Sequence, residues 1–200
     1  MIAILDYGSG NLRSAERAFA TAGHDVVVTS DANVAFEADG LVVPGVGAFA
    51  ACMKGLQTIN GKEIIRKRIS SERSVLGICI GMQILFSYGD EHSDGAPHDG
   101  VGIWDAIVTK ITAPILPHMG WNTVEAAQGS TLMKGIEDQA FYFVHSFAAK
   151  EPVGVHQTWT TYGEKFLSAV EDGYVSATQF HPEKSGVAGL ALIKNWSNSL

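Results

Sequence analysis

Cysteine, basic residues and long apolar runs are all scarce in this chain, and each scarcity excludes something. Only two cysteines occur, Cys52 and Cys79, too few for a disulfide framework and in keeping with a reducing cytoplasm. Lysine and arginine total 14 against 21 acidic residues, giving a formal net charge of −7, and they are thinly scattered. With no basic stripe to neutralise phosphates, nucleic-acid binding is not expected. No stretch approaches the ~20 apolar residues of a membrane-spanning helix. The N-terminal segment meets Asp6 without a preceding basic region. It reads as a first buried strand rather than a signal peptide.

What is present is an ordinary globular composition, 46% hydrophobic and 18% charged over 200 residues. That length predicts a single domain spanning residues 1–200. In the first half, short apolar runs (Met1–Tyr7, Asp25–Thr29, Gly40–Val43, Ser74–Ile78) alternate with helical stretches. The helices are expected from an Asn11 cap to about Ala22, from Ala48, from Gly61 to Ser71 and from about Met82. Continuous apolar strands alternating with helices predict an α/β fold, a three-layer α/β/α sandwich around a mainly parallel sheet. After a polar loop over Glu91–Gly102 come closely spaced strand candidates: Ile103–Ile111, Trp121–Glu125, Phe141–Phe147, Val153–Trp159, Phe166–Val170 and Tyr174–Phe180. This half reads as largely antiparallel and is expected to share one sheet with the first. Ser185 is expected to cap a last helix, Gly186–Ser197.

Gly77-Ile78-Cys79-Ile80-Gly81 lies between an apolar run and a helical stretch. That is the setting of a nucleophile elbow with cysteine as nucleophile. A helix N-terminus beyond it favours thiolate. Taken alone, the pattern fits a buried structural cysteine equally well. Cys52, inside a helical stretch without a glycine frame, reads as core.

A thiol nucleophile needs a base and the base needs an orienter. Gln179-Phe180-His181-Pro182-Glu183 supplies both at the end of a strand, with Glu183 two residues from His181. Pro44-Gly45-Val46-Gly47 follows another strand. Gly45, Val46 and Gly47, together with the Ile80 N–H, are candidate oxyanion donors. A phosphate-binding loop is the rival reading there, disfavoured by the missing Lys-Ser/Thr. Gly8-Ser9-Gly10 lacks the third glycine of a dinucleotide fingerprint, because Arg13 stands in its place. His92, Asp94, His98 and Asp99 have no metal-ligand spacing and read as a solvated loop.

These motifs, with Gln83 after the elbow, resemble the class I (triad-type) glutamine amidotransferases. Asp6-Tyr7-Gly8-Ser9-Gly10-Asn11-Leu12, Pro117-His118-Met119-Gly120-Trp121-Asn122, Tyr142-Phe143-Val144-His145-Ser146 and His181-Pro182-Glu183-Lys184-Ser185 are more specific. They resemble the glutaminase subunits that serve histidine biosynthesis, and the likeness runs from end to end. The resemblance implies a flavodoxin-like fold and a Cys79–His181–Glu183 triad that hydrolyses glutamine to glutamate and ammonia through a glutamyl thioester. It assigns Gln83, Glu91, Ser146 and Phe147 to the glutamine, although the family more often carries Tyr at position 147. Ile80 replaces a commoner Leu. It also assigns Asn11, Trp121, Tyr142 and Lys184 to the face that docks on a (β/α)8-barrel cyclase in a heterodimer, to which ammonia is channelled. In the family, turnover depends on that partner, and the Pro44–Gly47 loop is a physical candidate for the switch. No cofactor or metal is implied. The competing readings are a glutaminase of another class I enzyme, a non-catalytic regulatory subunit and a cysteine peptidase.

Overall fold

The computed structural model describes all residues, 1–200. Seven strands form the main sheet, and four of them come from the first half. These are β1 (Ile2–Leu5), β2 (Val26–Thr29), β3 (Gly40–Gly45) and β4 (Val75–Cys79). Every residue of β1, β3 and β4 is buried, whereas β2 is half-buried. The strand order puts β2 at the sheet edge, where one side of the strand has no neighbour. Helices α1 (Leu12–Thr21), α2 (Ala32–Glu37), α3 (Phe49–Thr58) and α4 (Gly61–Ser70) connect these strands. Asp31, whose carboxylate accepts from Asn33 and Val34 N–H, caps α2. The sequence reading missed this helix, because six residues show too little periodicity.

After β4 the chain makes a single helical turn, α5 (Ile80–Gln83), and re-enters a strand, β5 (Phe86–Gly89). The helix expected from about Met82 is therefore corrected: it starts earlier, lasts four residues and has little dipole to offer. The polar loop contains a two-residue strand, β6 (His98–Asp99), paired with β5. Then follow β7 (Trp104–Lys110), β8 (His118–Thr123), β9 (Ala140–His145) and β10 (Phe147–Ala149). The last strands are β11 (His156–Tyr162), β12 (Glu164–Asp172) and β13 (Val175–Thr178). A 3-10 turn (Pro182–Lys184) and α6 (Gly186–Ser197) complete the chain.

The main sheet runs β11-β12-β13-β4-β3-β1-β2. Its β13-to-β2 portion is parallel and its β11–β13 portion antiparallel. The second half thus shares the sheet only through β11–β13. Strands β10-β7-β5-β6 form a separate sheet, and β8 with β9 a hairpin. Helix α1 packs on α6, where Phe19 meets Trp196 edge-on at 5.8 Å. Helices α2 and α3 pack on α4. No helix is long and apolar enough to cross a membrane.

Arg68 on α4 is fully buried yet makes no salt bridge. It donates to the carbonyls of Ala35, Phe36, Ala38, Asp39 and Ser74, closing the end of α2 with a charged side chain.

Strand order brings three loops together. β4 lies between β3 and β13 and is parallel to both, with Gly45 in register with Cys79 and Thr178 with Ile78. Three chain segments therefore leave the sheet side by side at its C-terminal edge. They carry Gly45–Gly47, Cys79–Gln83 and Gln179–Glu183.

Candidate active site

Cys79 occupies a backbone conformation that a residue with a side chain rarely adopts, φ 57° and ψ −114°. Such a residue costs about 1–3 kcal/mol and persists only where its surroundings over-determine it. Here they do. A Cβ on Gly81 would run into the Val43 carbonyl, one on Gly45 into the Gly81 amide, and one on Gly77 into the Gly81 carbonyl. The three glycines let the turn press onto β3, which forces the bend at Cys79.

The thiol lines a cleft of about 250 Å3 with His181, Gln83 and Glu91. That is below the ~300–1,000 Å3 of drug-sized ligand sites and suits a ligand of amino-acid size.

His181 Nδ1 lies 2.7 Å from Glu183 Oε1, and both side chains are buried. An ionised carboxylate only accepts, so Nδ1 holds the proton and Nε2 is left for the thiol. Nε2 is buried and makes no hydrogen bond. Burial works against the imidazolium, but Cys79 on one side and Glu183 on the other outweigh it and push the His181 pKa up to about 10. The turn is clamped to the hairpin: His181 N–H donates to the Tyr142 carbonyl at 2.9 Å. The Ser185 hydroxyl donates to the His181 carbonyl at 2.6 Å while accepting the Tyr142 N–H. Ser185 makes no side-chain cap on α6, contrary to the expectation from sequence. Its hydroxyl is spent on holding the histidine.

Val46, Gly47 and Ile80 line the cleft, and Gly45 lies under it against Ile80. The Val46 N–H donates to Ser9 Oγ at 3.2 Å, and the Ser9 hydroxyl returns a bond to the Val46 carbonyl at 2.9 Å. Tyr7 anchors the same loop by donating to the Pro44 carbonyl. In this conformation the Val46 amide is engaged with Ser9. Ile80 N–H, first in its turn, has no acceptor within that turn.

Gln83 Nε2 donates to the Phe147 carbonyl at 2.7 Å and to Gln179 Oε1 at 3.0 Å, and Gln83 Oε1 is left buried without a partner. Glu91 accepts the Phe49 N–H at 2.8 Å, at the start of α3, while lining the cleft. Ser146 and Phe147 also line it. Phe147 contributes a backbone carbonyl to the network around the cleft, a group that any residue at this position would carry.

Of the four residues assigned to a partner face, Lys184 is exposed at the cleft. Trp121 is 58% exposed and meets Tyr142 edge-on at 6.1 Å. That excludes a core role for Trp121. Asn11 opens α1, which packs on the 3-10 turn, and its Oδ1 accepts the Ser14 N–H at 3.4 Å. Exposed Met119 shares the Trp121 side of β8, and exposed Val187 follows Gly186, above which the Trp121 ring lies.

Four residues of this region escaped the sequence reading as site members: Ser9, His118, His145 and Gln179. Gln179 Nε2 stands 3.9 Å from the Cys79 sulfur. Their motifs were visible, but their roles depend on contacts between distant segments.

The profile of the family described as Glutamine amidotransferase class-I matches residues 3–198. The imidazole glycerol phosphate synthase subunits HisH of Mycobacterium bovis and Nocardia farcinica are each 55% identical to the chain. Both alignments cover 100% of the chain and 98% of the relative. The corresponding subunit of Streptomyces avermitilis is 51% identical, over 100% of the chain and 96% of the relative. Among solved structures, one described as a glutamine amidotransferase superposes with a TM-score of 0.76 at 19% identity, covering 98% of each chain. PurLQS from Thermotoga maritima gives 0.68 at 17%, over 99% of this chain and 97% of that one. At those identities the likeness shows the fold. The chain belongs to the class I glutamine amidotransferases and, within them, to the HisH subunits of imidazole glycerol phosphate synthase.

Proposed function

We propose that this chain, as one domain, is the glutaminase of an imidazole glycerol phosphate synthase, releasing ammonia from glutamine for a (β/α)8-barrel cyclase. The observation that carries the reading is the array Cys79–His181–Glu183. In it, a strained elbow thiol shares the cleft with an imidazole, one nitrogen of which is held by a buried carboxylate at 2.7 Å.

The Cys79 S–H proton passes to His181 Nε2, the sulfur bonds to the side-chain amide carbon of glutamine, and the carbonyl becomes an oxyanion. Donors from the Gly45–Gly47 loop and Ile80 N–H stabilise that charge. His181 Nε2–H protonates the departing nitrogen, the C–N bond breaks, and ammonia leaves behind a glutamyl thioester. Water then gives a proton to His181 Nε2 and attacks the acyl carbon. The C–S bond breaks, restoring Cys79 and releasing glutamate. Gln83, Glu91, Ser146 and Phe147 hold the substrate.

Ammonia must stay unprotonated to act as a nucleophile, so a cyclase seated over the cleft mouth is the chemical requirement. There it makes imidazole glycerol phosphate and AICAR. Exposed Trp121 with Tyr142 supports a docking anchor, and Lys184 suits a partner carboxylate. Two unpaired cysteines support a cytoplasmic setting. The test is glutamate release in the presence of the cyclase subunit, wild type against Cys79→Ala. Loss of activity in the variant supports the reading, and equal activity in both sinks it.

A further inference from the structure

Buried histidines His118 and His145 have no part in the chemistry above, yet they join β8, which carries His118, to the cleft, which His145 lines. His118 pairs with His145 across the β8–β9 hairpin, with Nδ1 to Nε2 at 3.2 Å. His118 is stacked between the Tyr162 ring at 4.0 Å and the Phe143 ring at 4.7 Å. Beyond it, Asn122 Nδ2 reaches both His118 Nε2 at 3.3 Å and the Thr161 carbonyl at 3.2 Å. Toward the cleft, His145 Nδ1 lies 3.0 Å from the Phe147 carbonyl, the oxygen that also accepts from Gln83.

Only one set of proton positions satisfies every member. A carbonyl cannot donate, so Asn122 turns its NH2 to Thr161 and offers the second hydrogen to His118 Nε2. His118 Nε2 is then bare and Nδ1 carries the proton, which goes to His145 Nε2. That leaves His145 Nδ1–H to donate to the Phe147 carbonyl. Gln83, on the same carbonyl, must present Nε2, and its second hydrogen goes to Gln179 Oε1. Because both Gln83 hydrogens are used in this way, Gln83 Oε1 is left as a buried, unpartnered acceptor on a cleft-lining residue.

We propose that His118 and His145 are positioning residues. Through a chain of hydrogen bonds that runs from Asn122 on β8 and ends on the Phe147 carbonyl, they hold that carbonyl in place, and Gln83, which donates to it from the other side, keeps Oε1 toward an N–H group of the bound amino acid. This rests on the glutaminase reading for the identity of the ligand. The chain requires both imidazoles neutral. Burial supplies that, holding His118 at about 4 and His145, which also feels His118 and His181, at about 3. The relay begins one residue from Trp121, so it joins the strand of the exposed tryptophan to the substrate strand without passing through the triad.

Two substitutions at His118 separate the relay from mere packing. His118→Phe keeps a ring between Tyr162 and Phe143 but has no proton to give; His118→Gln loses the ring and keeps a donor. With the cyclase present, the relay predicts that Phe raises the KM for glutamine about tenfold, the loss of one hydrogen bond to substrate. The effect on kcat is small, and Gln recovers most of the loss. The reverse order, or an unchanged KM in His118→Phe, overturns the proposal. A second readout is independent of turnover and of either variant folding: the 15N shifts of the wild-type imidazoles. Both rings are expected as the Nδ1–H tautomer between pH 6 and 8. An Nε2–H tautomer or a charged ring at either position overturns the relay, including in the case where wild type releases no glutamate and the glutaminase reading itself has failed.

Discussion

The Val46 N–H donates to Ser9 Oγ at 3.2 Å, and the Ser9 hydroxyl donates back to the Val46 carbonyl at 2.9 Å. The pair holds the two successive peptides that flank the Val46 Cα, beside a cleft that needs an N–H donor. Gly47, at φ +88°, follows directly and can absorb a rotation of the Val46–Gly47 peptide. A latch of this kind is worth roughly 1 kcal/mol net. Ser9→Ala is therefore expected to raise glutamate release without the cyclase about fivefold and to change the partnered rate little. An unchanged basal rate in Ser9→Ala excludes Ser9 as the restraint.

Glu183 and Cys79 together hold His181 protonated well above its usual range, to about 10. The sign follows from the raised native value. His181 adds stability fully below pH 6.5, where it is protonated folded or unfolded, and that contribution fades as pH rises through about 10. Glu183→Gln removes one of the two causes. The alkaline limb of the kcat/KM profile is expected to move to lower pH, and kcat to fall by about 10²–10⁴. A superimposable profile would count against Glu183 as orienter.

Cys79 pays for its position in backbone strain, and the strain can be measured apart from the chemistry. Cys79→Ala and Cys79→Gly both abolish glutamate release. Gly accepts φ 57° without cost, so Cys79→Gly is expected to exceed Cys79→Ala in unfolding free energy by about 1 kcal/mol. Denaturant unfolding of the two variants decides it; a more stable Ala variant would mean the elbow is relaxed.

The neutral histidine pair makes the fold sensitive to acid. The native pKa values, about 4 for His118 and about 3 for His145, lie below the unfolded 6.5. The unfolded chain therefore takes up protons first as pH falls. Stability from this source is full above about 6.5 and declines through pH 4 toward 3. His145→Gln, which has no such proton uptake, is expected to lose less stability than wild type between pH 6.5 and 4. Parallel denaturant midpoints across that range would remove the pair from the account.

The sequence alone carried most of the chemistry. The glycine frame around Cys79, the His181-Pro182-Glu183 run and the Pro44–Gly47 loop are contiguous motifs, and each requires its residue types locally. Apolar runs buried on both faces likewise made the parallel strands legible. Short elements were not legible: α2, α5 and β5 span four to six residues, too few for a period to show. Strand order was also beyond the sequence, and strand order decided the site. Only because β4 lies between β3 and β13, parallel to both, do the oxyanion loop, the thiol and the imidazole emerge at one edge. The state of that site belongs to tertiary structure too. Val46 meets Ser9 across 37 residues, and Gln83 meets Gln179 across 96. A hydrogen bond between distant segments depends on where folding places them, so no local pattern in the chain could announce it.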